Sequence, residues 1–317
     1  MGVGCQNRNR RSGELVVGSP QSSAASLRAM AVPPSGPQKT FLNTCLKLCR
    51  RAAGASTMLP SLVVSALFIL LTLVLANGAR RLLDRLVKDS FMRLLLQEAI
   101  AAFELCACCF ELIIVADNFG VSAYGIFLFL LTIWWAFNWG DATACPYTHI
   151  EDVVLGNTDI RTAVLISAFE LAGGMISFKY VQLLWSLEIS ETHRDRAFGE
   201  CFTDLQVPVL YGAAIEGTAT CLCRIASNAL SEFKPRFSTA IDSFISTSLV
   251  VAAFDYSGGY FNPVLATSLK YGCRGNTLIE HVVVYWVGAS LGAVASVFVY
   301  QHPTVQKLLF GHKEKEE

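Results

Sequence analysis

Cys145-Pro146-Tyr147-Thr148-His149-Ile150-Glu151-Asp152-Val153-Val154-Leu155-Gly156 and Asn262-Pro263-Val264-Leu265-Ala266-Thr267-Ser268-Leu269-Lys270-Tyr271-Gly272 stand at matching points in two halves of a 317-residue chain. Each stretch has proline in second place and closes on glycine, 10 residues after Pro146 and 9 after Pro263. Proline suits the first helical position and glycine the residue past the last, so each reads as a short helix with both ends marked. At about 1.5 Å per residue such a helix runs roughly 15 Å, half the hydrocarbon thickness of a bilayer. In a chain that otherwise spans a membrane, a helix of that length must dip in and stop near the midplane.

The composition places the chain in a membrane. It is 53% hydrophobic and 16% charged, with a mean hydropathy of +0.46, where soluble domains carry about a quarter charged residues. The apolar runs are continuous, which predicts helices; a barrel would need alternating strands of about ten residues. A net charge of zero argues against nucleic acid as a partner. Of the 11 cysteines, Cys106, Cys108, Cys109, Cys221 and Cys223 lie inside apolar runs, where free cysteine behaves as a small hydrophobe. No histidine or carboxylate cluster accompanies Cys106 and Cys109, so no metal site is expected. No nucleophile–base pair points to an enzyme, and no cofactor is implied.

Residues 1–57, rich in Ser, Pro, Gly and Arg without periodicity, read as a disordered tail. Gln6 stands where a myristoylation signal beginning at Gly2 would need Ser or Thr, and Met58 offers a second start. The organisation expected beyond is an extra hydrophobic helix and basic connector over 58–90, a first repeat over 91–186, an acidic loop over 187–205, a second repeat over 206–300, and a tail over 301–317. Apolar segments fall at 58–77, 92–115, 120–139, 160–186, 206–228, 239–256 and 281–300. Trp134, Trp135, Trp139, Trp185 and Trp286 lie toward the ends of these runs, where interfacial indoles are favoured. Gly288 with Gly292, and Gly173-Gly174, are small-residue faces where helices pack closely. The bases Arg80, Arg81, Arg85, Lys88 and Arg93 predict a cytosolic connector, and the acidic 187–205 loop the opposite face. Segment 58–77 is basic on both flanks, which suits either a signal-anchor span or an interfacial helix.

The repeat extends beyond the boxes. Glu98 precedes Pro146 by 48 residues and Glu216 precedes Pro263 by 47. Each half reads as a span with a glutamate, a second span, a half-helix and a third span. Three crossings per half turn the second copy upside down, so the half-helices enter from opposite faces and their positive N-termini converge. Duplicated beside the half-helices, Glu98 and Glu216 are expected to accept hydrogen bonds from backbone N–H groups of the dipping loops. Glu170, in the middle of the 160–186 run, has no counterpart in the second half.

With both boxes and the paired glutamates, the chain resembles the aquaporin (major intrinsic protein) family over roughly residues 60–300. It is most similar to the unorthodox, intracellular superaquaporin branch. The family signature is two Asn-Pro-Ala boxes; Asn262-Pro263-Val264 nearly keeps one, and Cys145-Pro146-Tyr147 departs from the other, as in that branch. The branch also carries a cysteine nine residues past the second box, here Cys273. The resemblance implies an all-α membrane protein: an inverted repeat of six transmembrane helices plus two re-entrant half-helices, with an extra N-terminal hydrophobic helix.

It further implies a passive channel for water and small neutral solutes such as glycerol and hydrogen peroxide, in a homo-oligomer, usually a tetramer, in an organelle membrane such as the endoplasmic reticulum. Opposed half-helices excluding cations are a familiar property of aquaporins. Water-selective relatives place an arginine directly after the second box, where Leu265 stands, and no nearby base replaces it. Similarity puts the rest of that constriction at Val250, Gly259 and one of Gly125 or Phe127. A non-conducting protein that keeps the fold for a structural or organelle-maintenance role is the alternative, and a proton-coupled transporter built on Glu98, Glu170 and Glu216 a third. Cys201 and Cys273 fall in loops assigned to the same face; their spacing leaves a disulfide open.

Overall fold

A continuous apolar segment satisfies its backbone in lipid by coiling on itself, and the apolar runs among the described residues do so. The computed structural model describes residues 60–310, in which helices are joined by short turns and one isolated bridge pairs Phe202 with Arg274. The expected disordered tail over 1–57, Met58 and the last seven residues lie outside the described residues.

Helix α1 is Ser61–Leu86. Helix α2, Ser90–Asn138, starts on Asp89, whose side chain accepts from the Met92 N–H at 2.6 Å. It is broken at Gly120, where φ 84 and ψ 166 suit only glycine. The Trp134 indole donates to Glu104, 30 residues earlier, whereas a straight helix would hold them about 45 Å apart. The chain therefore folds back at Gly120, and the runs expected at 92–115 and 120–139 are two limbs joined without a loop.

Helix α3 is Pro146–Val154, and α4 is Ile160–Trp185, capped by Asp159. Two short 3-10 turns, Glu191–His193 and Arg196–Phe198, shape the next loop. Helices α5 (Val209–Phe233), α6 (Ser238–Ser257) and α7 (Pro263–Lys270) follow. Helix α8, Leu278–Gln301, opens on a capping box formed by Thr277 and Glu280 and carries a π-turn over Val282–Gly288. Helix α9 is Pro303–Phe310.

Helices α1, α2, α4 and α8 are long and apolar enough to cross a membrane. Helices α5 and α6 are 25 and 20 residues long but more polar, and at about 1.5 Å per residue each reaches roughly 30 Å or more. Large apolar side chains point outward along the bundle, among them Val74, Ile126, Val164, Ile176, Phe244, Leu291 and Phe298. A soluble monomer rarely bares so much apolar surface; a lipid-facing bundle requires it.

Close packing follows the repeat. A Cβ on Gly173 would lie 2.0 Å from the Ala99 carbonyl oxygen, and one on Gly292 would lie 2.0 Å from that of Gly217. Ala99 and Gly217 each follow the repeated glutamate, so α2–α4 and α5–α8 cross at equivalent points. Helix α1 packs against α2 and touches α4 through Tyr180. Thr72 and Tyr180 share a hydrogen bond of 3.0 Å, Asn77 donates to Asn138 at 3.1 Å, and Arg80 ion-pairs with Glu104. These ties along its length make α1 a member of the bundle rather than a helix lying apart from it.

At one end of the bundle Tyr300 donates to Glu232 and Gln97 to Asp84. At the other, Arg196 pairs with Asp117, Arg274 with Glu200, and a disulfide joins Cys201 to Cys273 with Cα atoms 4.9 Å apart. That bridge ties the 186–208 loop to the end of α7. Such bonds persist in oxidising compartments.

Gly292→Val should abolish monodisperse protein on size-exclusion chromatography, because the clash is with backbone and overpacking costs about 1–3 kcal/mol or more. Gly78→Val, with nothing within 4 Å of its added Cβ, should elute normally. Reduction before thiol labelling of the denatured chain should expose two further cysteines, and none further in Cys201→Ser. The 72-residue separation sets the stability lost in that variant at up to about 4 kcal/mol, measured as a lower melting temperature.

Candidate functional site

The two boxes have the same backbone. Cys145 sits at φ −148, ψ 116 and Asn262 at φ −147, ψ 116, each the N-cap of its short helix with proline in the first turn. The residue before each, Ala144 at φ 54 and Phe261 at φ 48, is left-handed although neither is glycine. Such conformations persist only where the surroundings enforce them. Gly156 at φ 75 and Gly272 at φ 80 follow the two helix ends.

The enforcing groups are the two glutamates. Glu98 accepts from the Thr143 N–H through both oxygens, at 3.1 and 3.0 Å, and from the Ala144 N–H at 2.8 Å. Glu216 accepts from the Tyr260 N–H at 3.2 Å, the Phe261 N–H at 2.7 Å and the Ser257 hydroxyl at 2.6 Å. Both carboxylates are buried. Each receives the backbone donors of the loop that turns back into the bundle, in register with the repeat.

The half-helices meet at their N-termini. Asn262 Oδ1 accepts from the Val264 and Leu265 N–H groups at 2.9 and 3.2 Å, while its Nδ2 donates to the Ala144 carbonyl at 2.8 Å. One side chain thus caps α7 and reaches across to the loop before α3, and its amide keeps a second donor hydrogen. Cys145 makes no side-chain cap, so the first N-terminus lacks that acceptor. Tyr147, half-buried, lies beneath the Arg224 guanidinium, 6.0 Å from ring centroid to Cζ. Pro146, Pro263 and Val264 are buried.

Around the expected constriction, a Cβ on Gly259 would meet the Val250 carbonyl oxygen at 2.6 Å, so these two residues adjoin. Phe127, Val250 and Leu265 are partly buried against the main core. Gly125 packs on Val251 and Thr247 of α6, which makes it a helix contact. Two bases stand by the half-helices, Arg224 and Lys270, and Leu265 keeps the position after the second box. Arg224 pairs with Glu151 through Nε, at 2.9 and 3.0 Å, and through Nη2. Lys270 pairs with Asp204 at 2.8 Å and donates to the Phe202 carbonyl at 3.1 Å, and Tyr260 donates to the same aspartate. Both cations are neutralised by a carboxylate in contact. A cavity of about 450 Å³ adjoins the first box, lined in part by Thr143, Thr148, Glu151, Asp152, Arg224 and Asn228.

The tryptophans correct an expectation. Trp134 and Trp139 donate to Glu104 at 3.3 and 3.2 Å, Trp185 donates to Glu111 at 2.8 Å, and Trp286 donates to Thr267 at 2.9 Å. His193 also meets Glu111, at 2.8 Å. These indoles serve polar groups inside the bundle. Glu98, Glu104 and Glu111 all lie in the first limb of α2, and three carboxylates in one apolar run was the signal for buried partners. Glu170 is held by His149 at 3.1 Å, a pairing between residues 21 apart.

Comparison with known proteins agrees with this architecture. No family model matches the chain. It is 33% identical to aquaporin-11 of Milnesium tardigradum over 242 residues, covering 76% of this chain and 87% of that one. It is 26% identical to aquaporin-12 of Mus musculus, covering 76% and 86%, and 24% identical to aquaporin-11 of Homo sapiens, covering 74% and 88%. The X-ray structure of the aquaglyceroporin from Plasmodium falciparum shares the fold, with a TM-score of 0.54 at 14% identity over 69% of this chain and 99% of that one. An inverted all-α repeat with two opposed half-helices, and a relative at this identity over most of its length, lead to one conclusion: the chain belongs to the aquaporin family and is an integral membrane channel for water or small solutes, not an enzyme.

Proposed function

We propose that the chain is a passive channel that conducts water modestly and small neutral solutes, glycerol and hydrogen peroxide among them, at least as readily. The observation that carries this reading is the Asn262 side chain, which caps one half-helix and bonds to the loop of the other. Two helix N-termini and a remaining amide hydrogen then orient a passing dipole and oppose cations.

The solute preference follows from the wall. Leu265, Val250 and Gly259 offer no charge, and Arg224 and Lys270 are each held by a carboxylate. A constriction without a fixed cation binds water less selectively and accommodates the carbon skeleton of a small polyol. Full-length relatives named aquaporin-11 and aquaporin-12 are consistent with this role. A homotetramer with one conduit per subunit, in an organelle membrane such as that of the endoplasmic reticulum, completes the proposal. The lipid-facing apolar surface supports the membrane part, and the Cys201–Cys273 bridge suits a lumenal face.

In proteoliposomes the wild-type chain should speed osmotic shrinkage and the entry of glycerol and peroxide; strict exclusion of both solutes would refute the preference, and no flux at all would favour a structural role. Leu265→Arg should lower glycerol entry roughly tenfold, equivalent to about 1.4 kcal/mol of added barrier, while leaving water flow within a factor of about 2. Asn262→Asp keeps an N-capping oxygen but removes the donor and adds negative charge between the two N-termini. It should therefore admit monovalent cations, read as a potential-driven current in planar bilayers that the wild type lacks.

A further inference from the structure

His149 and Glu170 break the symmetry of the repeat. The offset between the boxes carries His149 of α3 onto Ala266 of α7, and the offset between Gly173 and Gly292 carries Glu170 of α4 onto Ala289 of α8. Ala266 and Ala289 are both fully buried. The second repeat therefore fills the equivalent buried positions with two alanines, and the fold itself does not call for an imidazole and a carboxylate there. Placing both in the bundle interior is expensive unless they are paired with something that uses them.

Their geometry is that of a ligand set. His149 Nε2 lies 3.1 Å from Glu170 Oε1 and 3.9 Å from Glu98 Oε1, and one donor atom from each of the three residues falls within 4.8 Å of the others. Zinc bonds to nitrogen and oxygen of about 2.0–2.2 Å imply donor separations of roughly 3.3 Å in a tetrahedral site, so small side-chain rotations suffice. Glu170 Oε2 is buried and has no hydrogen-bond partner. A second lone oxygen in a fully buried carboxylate is an unmet demand for a cation or a proton. Two carboxylates and a neutral imidazole carry a charge that one divalent ion cancels, and the mixed nitrogen–oxygen set suits zinc-class metals.

The cavity beside the first box is lined by neighbours of the cluster rather than by its members. Thr143, whose N–H bonds to Glu98, and Thr148, the chain neighbour of His149, join hydroxyls at 2.8 Å and line the 450 Å³ cavity beside the first box. Asp152 adds acidity to the same cavity.

We propose that Glu98, His149 and Glu170 form a binding site for one divalent transition-metal ion of the zinc class, with solvent from the cavity as the fourth donor. The absence of a metal site expected from sequence is thereby revised. The proposal concerns binding and stands independently of what the channel conducts. Full-length protein, purified in detergent without a histidine tag and stripped with chelator, should take up one zinc per chain at micromolar concentration, measured by inductively coupled plasma mass spectrometry after gel filtration. His149→Ala and Glu170→Gln should weaken that uptake roughly 100-fold or more, whereas His302→Ala, at an exposed position, should not change it. Cobalt(II) added to the wild-type chain alone should give the visible bands of a four-coordinate nitrogen–oxygen site without a thiolate charge-transfer band, a readout that survives if the variants fail to fold. Absence of zinc from folded wild type, undiminished zinc in folded His149→Ala, or a thiolate band would each overturn the proposal; the first outcome would leave a proton as the occupant.

Discussion

A loop that turns back inside a bilayer exposes backbone N–H groups where no bulk water can receive them, and everything central to this protein answers that constraint. Glu98 and Glu216 do so with one carboxylate per loop. A carboxylate fits because it is acceptor-only and can take several donors at once. By pulling the donors of residues 143 and 144, or 260 and 261, toward one point, it holds Ala144 and Phe261 in a left-handed conformation that neither would adopt freely. That conformation aims the following N-cap, and hence the half-helix, at the middle of the bundle. The close glycine crossings then let α2–α4 and α5–α8 support both loops from behind.

Duplication explains the scaffold, and departures from it explain the chemistry. Backbone angles at Cys145 and Asn262 agree to within a degree, so the difference between the boxes lies in their side chains. Asn262 caps its helix and bonds across the interface, whereas Cys145 does neither. In the proposed channel a passing dipole would meet one amide and two helix ends, a lopsided arrangement. Arg224 beside Tyr147 and Lys270 behind the second box place charge near both, but Glu151 and Asp204 confine each cation to a fixed partner. Leu265, Val250 and Gly259, the proposed wall, carry no charge.

The architecture was legible because its signals are local: proline and glycine marking short helices, apolar runs marking long ones, and glutamates at equal distances from the boxes. The break between the runs at 92–115 and 120–139 was readable, but its reduction to the single residue Gly120 was not, because only backbone angles distinguish a hinge from a loop. The tryptophans misled for a related reason. Position near the end of an apolar run fits an interfacial indole, but Glu104 and Glu111 lie far enough away in sequence that no spacing rule connects them to Trp139 or Trp185. Glu170 was visible as an anomaly, and its partner was not, because His149 is reached only when α3 folds back against α4.

In the channel proposed above no arginine follows the second box, so cations would be opposed by the half-helix N-termini, provided these remain unneutralised. Glu98 and Glu216 are the nearest repeated carboxylates to those termini, yet each is turned toward the preceding loop and occupied by N–H donors there. Backbone dipoles offset much of that charge, although Glu98 Oε1 also lies 3.9 Å from His149 of α3. The Asn262 oxygen, a neutral acceptor, caps α7 without cancelling its field. Replacing that neutral cap by a carboxylate would roughly cancel the two N-terminal charges of about +0.5 each while keeping a capping oxygen. In the proposed channel the barrier to cations would rest on an amide rather than a carboxylate at position 262, while the carboxylates that hold the loops bind backbone donors there.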